Sequence, residues 1–172
     1  SRLDELAGLD QMVADVVGSL QELGQLEDTI IVFTSDNGLM LGEHRWPLWG
    51  KGTPYDESLH VPLVVRGPGF PPASTVDVPC QHQDVTAMLV AAHGAEPSVG
   101  GQVGIDLRRL AAEPAAHVER AILHTRSESP LGNGSVDVAP AATGVTTSTR
   151  KLWRYADGGS FGRLDPTDRY EM

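Results

Sequence analysis

Near the start of the chain, Leu6, Leu9, Val13, Val16, Val17, Leu20 and Leu23 recur mostly at three- and four-residue steps, with Asp10, Asp15, Gln21 and Glu22 between them. That period predicts an amphipathic helix over residues 4–23, stopped by Gly24. The pattern then changes. Ile30–Phe33 is a continuous apolar run that ends in Thr34-Ser35-Asp36-Asn37-Gly38, and after a polar loop a second apolar run covers Val61–Val65. Runs of this length bounded by turn residues predict strands, the first buried on both faces as in a parallel sheet. Helix, short turn and strand form one arm of an α/β crossover. Its partner strand and the rest of the helix's docking surface are expected earlier in a longer chain.

Gly67-Pro68-Gly69-Phe70-Pro71-Pro72 breaks the backbone repeatedly and reads as a loop. Thr75–Val78 is a candidate short strand. Gln83–Val90 predicts a second helix, with Asp84 near its N-terminus, where a carboxylate is favourable, and with Val85, Met88, Leu89 and Ala92 on one face. Ile105–Leu110 reads as a short helix, Ala121–His124 as a strand, Ser127–Ala142 as a loop and Gly144–Tyr155 as a β-hairpin edge.

At 172 residues the chain is long enough for a sizeable core. Its 13 Lys and Arg against 23 Asp and Glu give a net charge of −10, which argues against a nucleic-acid partner. No apolar run approaches the ~20 residues needed to span a bilayer, and no signal-peptide pattern opens the chain. Neither observation fixes a compartment. Cys80 is the single cysteine, so no internal disulfide can form, and it reads as a buried thiol.

The candidate chemistry sits where the first strand stops. In open α/β sheets ligands bind at the carboxyl edge, and there Asp36 and Asn37 offer a carboxylate and an amide oxygen. Hard cations such as Ca²⁺ take such donors, and the Asn adds an oxygen without a second negative charge. Gly38 is expected to allow a tight turn through positive φ. Asp-Asn-Gly is also an ordinary turn sequence, so the residues alone leave both readings open.

The residues that follow narrow the choice. Ser35-Asp36-Asn37-Gly38, Gly42-Glu43-His44, Gly50-Lys51-Gly52-Thr53-Pro54-Tyr55 and Val61-Pro62-Leu63-Val64-Val65-Arg66-Gly67-Pro68-Gly69 resemble, in order and spacing, the C-terminal signature of the sulfatase family. The departures are mild: Asp56 stands where Glu is commoner, and Trp46-Pro47-Leu48-Trp49 fills the loop. The resemblance implies an α/β fold, part of an alkaline-phosphatase-like mixed sheet flanked by helices, with a small C-terminal antiparallel α+β subdomain. An approximate boundary near residue 115 would divide 1–115, the C-terminal part of the catalytic domain, from 116–172. It also implies that Asp36 and Asn37 are two of four protein ligands of one Ca²⁺ ion. Lys51 would contact the sulfate and its bridging oxygen, where an ammonium offsets charge on the leaving group; without the resemblance, Lys51 reads as a solvated loop lysine. His44 either lines the substrate pocket or hydrogen-bonds the loop backbone. Glu43 reads as structural or as part of a loop ion pair, His82 as structural, and Trp46 and Trp49 as packing beneath the loop or as a wall for a substrate group.

The resemblance further implies a formylglycine nucleophile, made from Cys or Ser within a Cys/Ser-x-Pro-x-Arg motif. Cys80 is followed by Gln81-His82-Gln83-Asp84 and does not fit it, so that group is expected in a missing N-terminal half, together with the remaining Ca²⁺ ligands. Ca²⁺ normally collects six to eight oxygens; this chain alone is therefore expected to be inactive and to bind metal weakly. The implied substrate is a sulfated small molecule or sulfated sugar. Two alternatives stay open: a phosphoester or phosphonate hydrolase of the alkaline phosphatase superfamily, which more often carries Asp-His at the strand end, and a non-catalytic remnant of the fold. Asn133-Gly134-Ser135 matches the N-glycosylation pattern, which means little without a secretory context.

Overall fold

The computed structural model describes residues 2–45, 50–95, 104–126, 129–130, 138–139 and 141–155. They belong to two compact units, one within Ser1–Thr34 and Pro62–Pro72, the other within Ser35–Val61 and Ala73–Met172.

In the first unit, helix α1 spans Arg2–Glu22. Leu9, Val13, Val17 and Leu20 along its apolar stripe are half-buried, whereas Leu6 and Val16 remain exposed. The helix ends as the sequence predicts. Gly24, at φ 66°, donates to the Gln21 carbonyl while Gln25 donates to that of Leu20, a Schellman arrangement that satisfies two otherwise orphaned carbonyls. A 3-10 turn at Leu26–Asp28 leads to strand β1, Ile31–Thr34, which pairs antiparallel with β2, Leu63–Arg66, from Ile31 opposite Arg66 to Thr34 opposite Leu63. Among the described residues β1 pairs only with β2, and it is half-buried there rather than covered on both faces; the parallel partner expected from an earlier part of a longer chain is not among these residues. The two apolar runs read alike in sequence because a continuous run records burial, not strand direction. Arg66 secures the pair by donating to the Leu26 carbonyl at 2.9 Å and to the Glu27 carboxylate at 2.7 Å.

The second unit holds the one-turn helix α2 (Asp56–Leu59), helix α3 (His82–Ala92), helix α4 (Leu107–Ala112) and a 3-10 turn at Pro114–His117. A three-stranded antiparallel sheet in the order β3-β6-β7 is built from Ile122–Arg126, Ala142–Thr146 and Lys151–Tyr155, and a two-residue ladder joins β4 (Ser129–Pro130) to β5 (Val138–Ala139) inside the expected loop. Thr75–Val78 is not a strand, although Val78 is buried. On α3 the buried positions are Asp84, Ala87 and Met88, while Leu89 and Ala92 are exposed, so the face that packs is turned from the one the apolar pattern suggests.

That rotation has a cause. Asp84 is fully buried, and its carboxylate accepts from the Gln81 and Ile105 amides and from both Nη atoms of Arg120, every bond between 2.7 and 2.8 Å. Arg120 also donates to the Pro79 carbonyl. Each acceptor site of this carboxylate is thus filled by a donor, which offsets the cost of burying it. In the sheet, Gly144 lies under the Trp153 indole, which a Cβ would approach to 2.4 Å, and His124 stacks on the same ring at 5.5 Å between centroids. Burial pushes the His124 pKa down. Lys151 pairs with Asp56, which connects β7 to α2.

Candidate active site

Strand β1 ends at Thr34, and the chain passes through Ser35 into Asp36, Asn37 and Gly38. Ser35 is held twice. Its hydroxyl donates to the Asn37 carbonyl at 2.8 Å, and its own carbonyl meets His82 Nε2 at 2.8 Å, which gives His82 the structural use expected of it. Asp36 is exposed, and its Oδ1 accepts the Asn37 amide N–H at 2.8 Å. The Asn37 side-chain amide donates to the Gly38 carbonyl at 3.0 Å, which leaves Oδ1 as the acceptor. Lys51 Nζ approaches that oxygen at 3.4 Å. At this length the bond is weak, but it brings the expected cation to the expected oxygen donor.

Gly38 serves the loop by a different means from the one expected. It is not among the residues at positive φ; instead a Cβ there would stand 1.9 Å from the Glu57 carbonyl oxygen. Close approach of two backbones, not turn conformation, excludes a side chain. The Gly38 N–H donates to the Ser58 carbonyl at 2.9 Å. On the far side of the loop the Gly52 and Thr53 amides donate to the Ser58 hydroxyl at 2.9 and 3.3 Å. Met40, fully buried, bridges to Gly50 and accepts the Thr53 hydroxyl on its sulfur. Trp46 and Trp49 lie outside the described residues.

His44 adopts φ 54° and ψ 22°, an uncommon conformation for a residue with a side chain. Its ring stacks on Tyr55 at 3.7 Å between centroids and 3° between planes, and its Nε2 lies 3.3 Å from Glu57 Oε1. Of the expected site residues, then, Asp36, Asn37 and Lys51 come together at the strand end, and His44 is held by Tyr55 and Glu57. The Glu43 carboxylate accepts the Leu41 amide N–H. Cys80 is exposed, not buried as expected, because it precedes α3 in an extended segment. Its thiol is nonetheless pushed above the usual pKa, first by partial desolvation and then by Asp84, with Arg120 opposing.

Four contributors escaped the sequence reading: Ser58, Glu57, Tyr55 as a stacking partner, and Arg120. Asp56-Glu57-Ser58 looks like solvated surface, and nothing in its spacing marks Ser58 as 2% exposed. Among the described residues no group of three or more His, Cys, Asp or Glu is placed to hold a metal ion. None of the described helices is long and apolar enough to cross a membrane.

The sulfatase family profile matches residues 1–95, and the chain belongs to that family. It is 40% identical over 104 residues, 58% of its own length, to an arylsulfatase of Volvox carteri. The chain spans between 16% and 21% of the length of the first curated relatives it matches. Two solved structures share the mixed α/β, alkaline-phosphatase-like fold. One, in complex with its substrate D-glucosamine-2-N,6-O-disulfate, aligns with 97% of this chain and 32% of its own at TM-score 0.78 and 26% identity. The other, a phosphonate monoester hydrolase from Silicibacter pomeroyi, aligns with 86% of this chain and 31% of its own at TM-score 0.69 and 29% identity.

Proposed function

We propose that this chain is the C-terminal part of a sulfatase: residues 1–115 complete a catalytic α/β domain and residues 116–172 form a small C-terminal subdomain. In the complete protein the reaction is hydrolysis of a sulfate ester to an alcohol and sulfate. The reading is carried by the 3.4 Å approach of Lys51 Nζ to Asn37 Oδ1, which puts a cation beside an oxygen donor at a strand end. Asp36 and Asn37 would hold Ca²⁺. The donor set fits a hard ion: one carboxylate and one amide oxygen, the latter already turned toward positive charge. Bound there, Ca²⁺ would supply charge neutralisation and orientation of the sulfate oxygens. Four or more further oxygens must come from outside this chain, as must the formylglycine nucleophile.

Lys51 binds the sulfate and stabilises negative charge developing on the ester oxygen as the bond to sulfur breaks. A lysine suits that task, being a compact charge on a long stem that reaches a single oxygen without a fixed fork geometry. His44 would line the substrate pocket, its ring stacked on Tyr55 and its Nε2 beside Glu57. A sulfated sugar is the substrate class we favour, supported by the disulfated glucosamine held in the similar solved structure.

A phosphonate or phosphate ester hydrolase is the second reading, favoured by the likeness to the phosphonate monoester hydrolase. Asn37 weighs against it, because an oxygen donor where that group more often has a histidine suits Ca²⁺ better than Zn²⁺ or Mn²⁺. Comparing kcat/KM of the complete protein on an aryl sulfate, an aryl phosphate and an aryl phosphonate monoester decides between them. The sulfate is expected to be turned over fastest, and the isolated 172-residue chain to turn over none. A phosphonate preference would replace the first reading with the second; no turnover of any would favour a non-catalytic remnant.

A further inference from the structure

Lys51 must be held at a set distance from Asn37 for the two to serve one anion, yet their direct contact at 3.4 Å is too long to enforce it. What spans the gap is α2. Ser58 is 2% exposed, and each of its polar groups is engaged. Its carbonyl takes the Gly38 N–H at 2.9 Å, one residue after Asn37; its hydroxyl oxygen takes the Gly52 N–H at 2.9 Å and the Thr53 N–H at 3.3 Å, one and two residues after Lys51; its own N–H donates to the Tyr55 carbonyl at 3.0 Å. A hydroxyl oxygen has two lone pairs, and here both face backbone amides. One residue therefore clamps the two segments that carry the oxygen donors and the lysine. The Met40–Gly50 bridge closes the loop before Lys51, and the Thr53 hydroxyl reaches the Met40 sulfur after it, while Ser58 takes the two backbone amides that follow Lys51.

We propose that Ser58 is a positioning residue that acts through Lys51, fixing the ammonium relative to Asp36 and Asn37. This rests on the sulfatase reading of Lys51 given above. Loss of the hydroxyl removes its two bonds to the Gly52 and Thr53 amides, so the Lys51 loop relaxes while the Gly38 bond, made by backbone, stays. A displacement of about 1 Å at a reacting group can lower turnover on the order of a hundredfold.

The test is a double-mutant cycle in the complete protein, with Ser58→Ala, Ser58→Cys, Lys51→Ala and the two doubles. Ser58→Cys preserves size with a poor acceptor and carries the test if Ser58→Ala fails to fold. The readouts are kcat and KM on an aryl sulfate and the Kd of inorganic sulfate. Each Ser58 variant is expected to lower kcat by roughly ten- to a hundredfold with a smaller change in KM, and to weaken sulfate binding. In the Lys51→Ala background the same substitutions should change kcat and Kd by no more than about twofold, since coupled residues are not additive. If the losses multiply, Ser58 does not act through Lys51 and the proposal fails while the sulfatase reading stands. If Lys51→Ala alone leaves kcat within a few-fold of the parent, the reading of Lys51 fails and takes the role of Ser58 with it.

Discussion

Asp36 and Asp84 are both carboxylates near the end of a regular element, and the chain treats them in opposite ways. Asp84 is sealed from solvent and filled by four donors, two of them from Arg120. Asp36 is exposed and accepts only the amide of its neighbour among the described residues. A carboxylate whose acceptor sites are all satisfied has nothing left to offer a ligand; one with open sites at a strand end does. The difference lies in what surrounds each residue, so an Asp-rich sequence does not reveal which is which. Around Asp36 the support is indirect, supplied by Ser35, Gly38 and Ser58 through the backbone.

The contrast can be broken hardest at Asp84. Replacing it with Ala strands the Arg120 guanidinium in a site where it is 10% exposed, and removing one partner of such a pair costs about 3–5 kcal/mol. Urea unfolding of the complete protein should register that loss, whereas replacing Asp84 and Arg120 together with apolar residues should cost clearly less. A loss below about 1 kcal/mol for Asp84→Ala would mean that the hub is not structural. The next effect sits at Gly38. Gly38→Ala puts a Cβ 1.9 Å from the Glu57 carbonyl, so the strand-end loop or α2 must move. Because that movement displaces Asn37 from Lys51, kcat should fall about tenfold or more while stability falls by about 1–3 kcal/mol. Equal and small effects on both would show that the loop tolerates the shift and that the donor geometry is not set there.

How far the sequence already contained this picture differs by element. Helix α1, its glycine stop, the two apolar strands, α4 and the hairpin of β6 and β7 were all legible, since each is dictated by local period and turn residues. The direction of β1 against β2 was not, because an apolar run carries no direction. The packing face of α3 was misread for a specific reason: the residue that decides it is an aspartate, and an aspartate on a helix looks solvated until Arg120, 36 positions later, is known to reach it. At the candidate site Asp36 and Asn37 are marked by their place at a strand end, whereas Lys51 and His44 are marked only by the family resemblance. Ser58 and Glu57 are marked by neither, since a serine or glutamate that works by holding other parts of the backbone or another side chain has no sequence signature. Gly38 was singled out for its conformational freedom and is needed for its lack of volume, a distinction only the position of the Glu57 carbonyl reveals.

On the proposed function, Asp36, Asn37 and Lys51 converge on one cation and one anion. A crystal structure of the complete protein with Ca²⁺ and inorganic sulfate tests it most directly. Side-chain oxygens of Asp36 and Asn37 are expected about 2.3–2.6 Å from a single ion, with Lys51 Nζ within about 2.7–3.2 Å of a sulfate oxygen on that ion. An ion or sulfate bound elsewhere, with Lys51 turned away from Asn37 and Asp36 left in solvent, would contradict it.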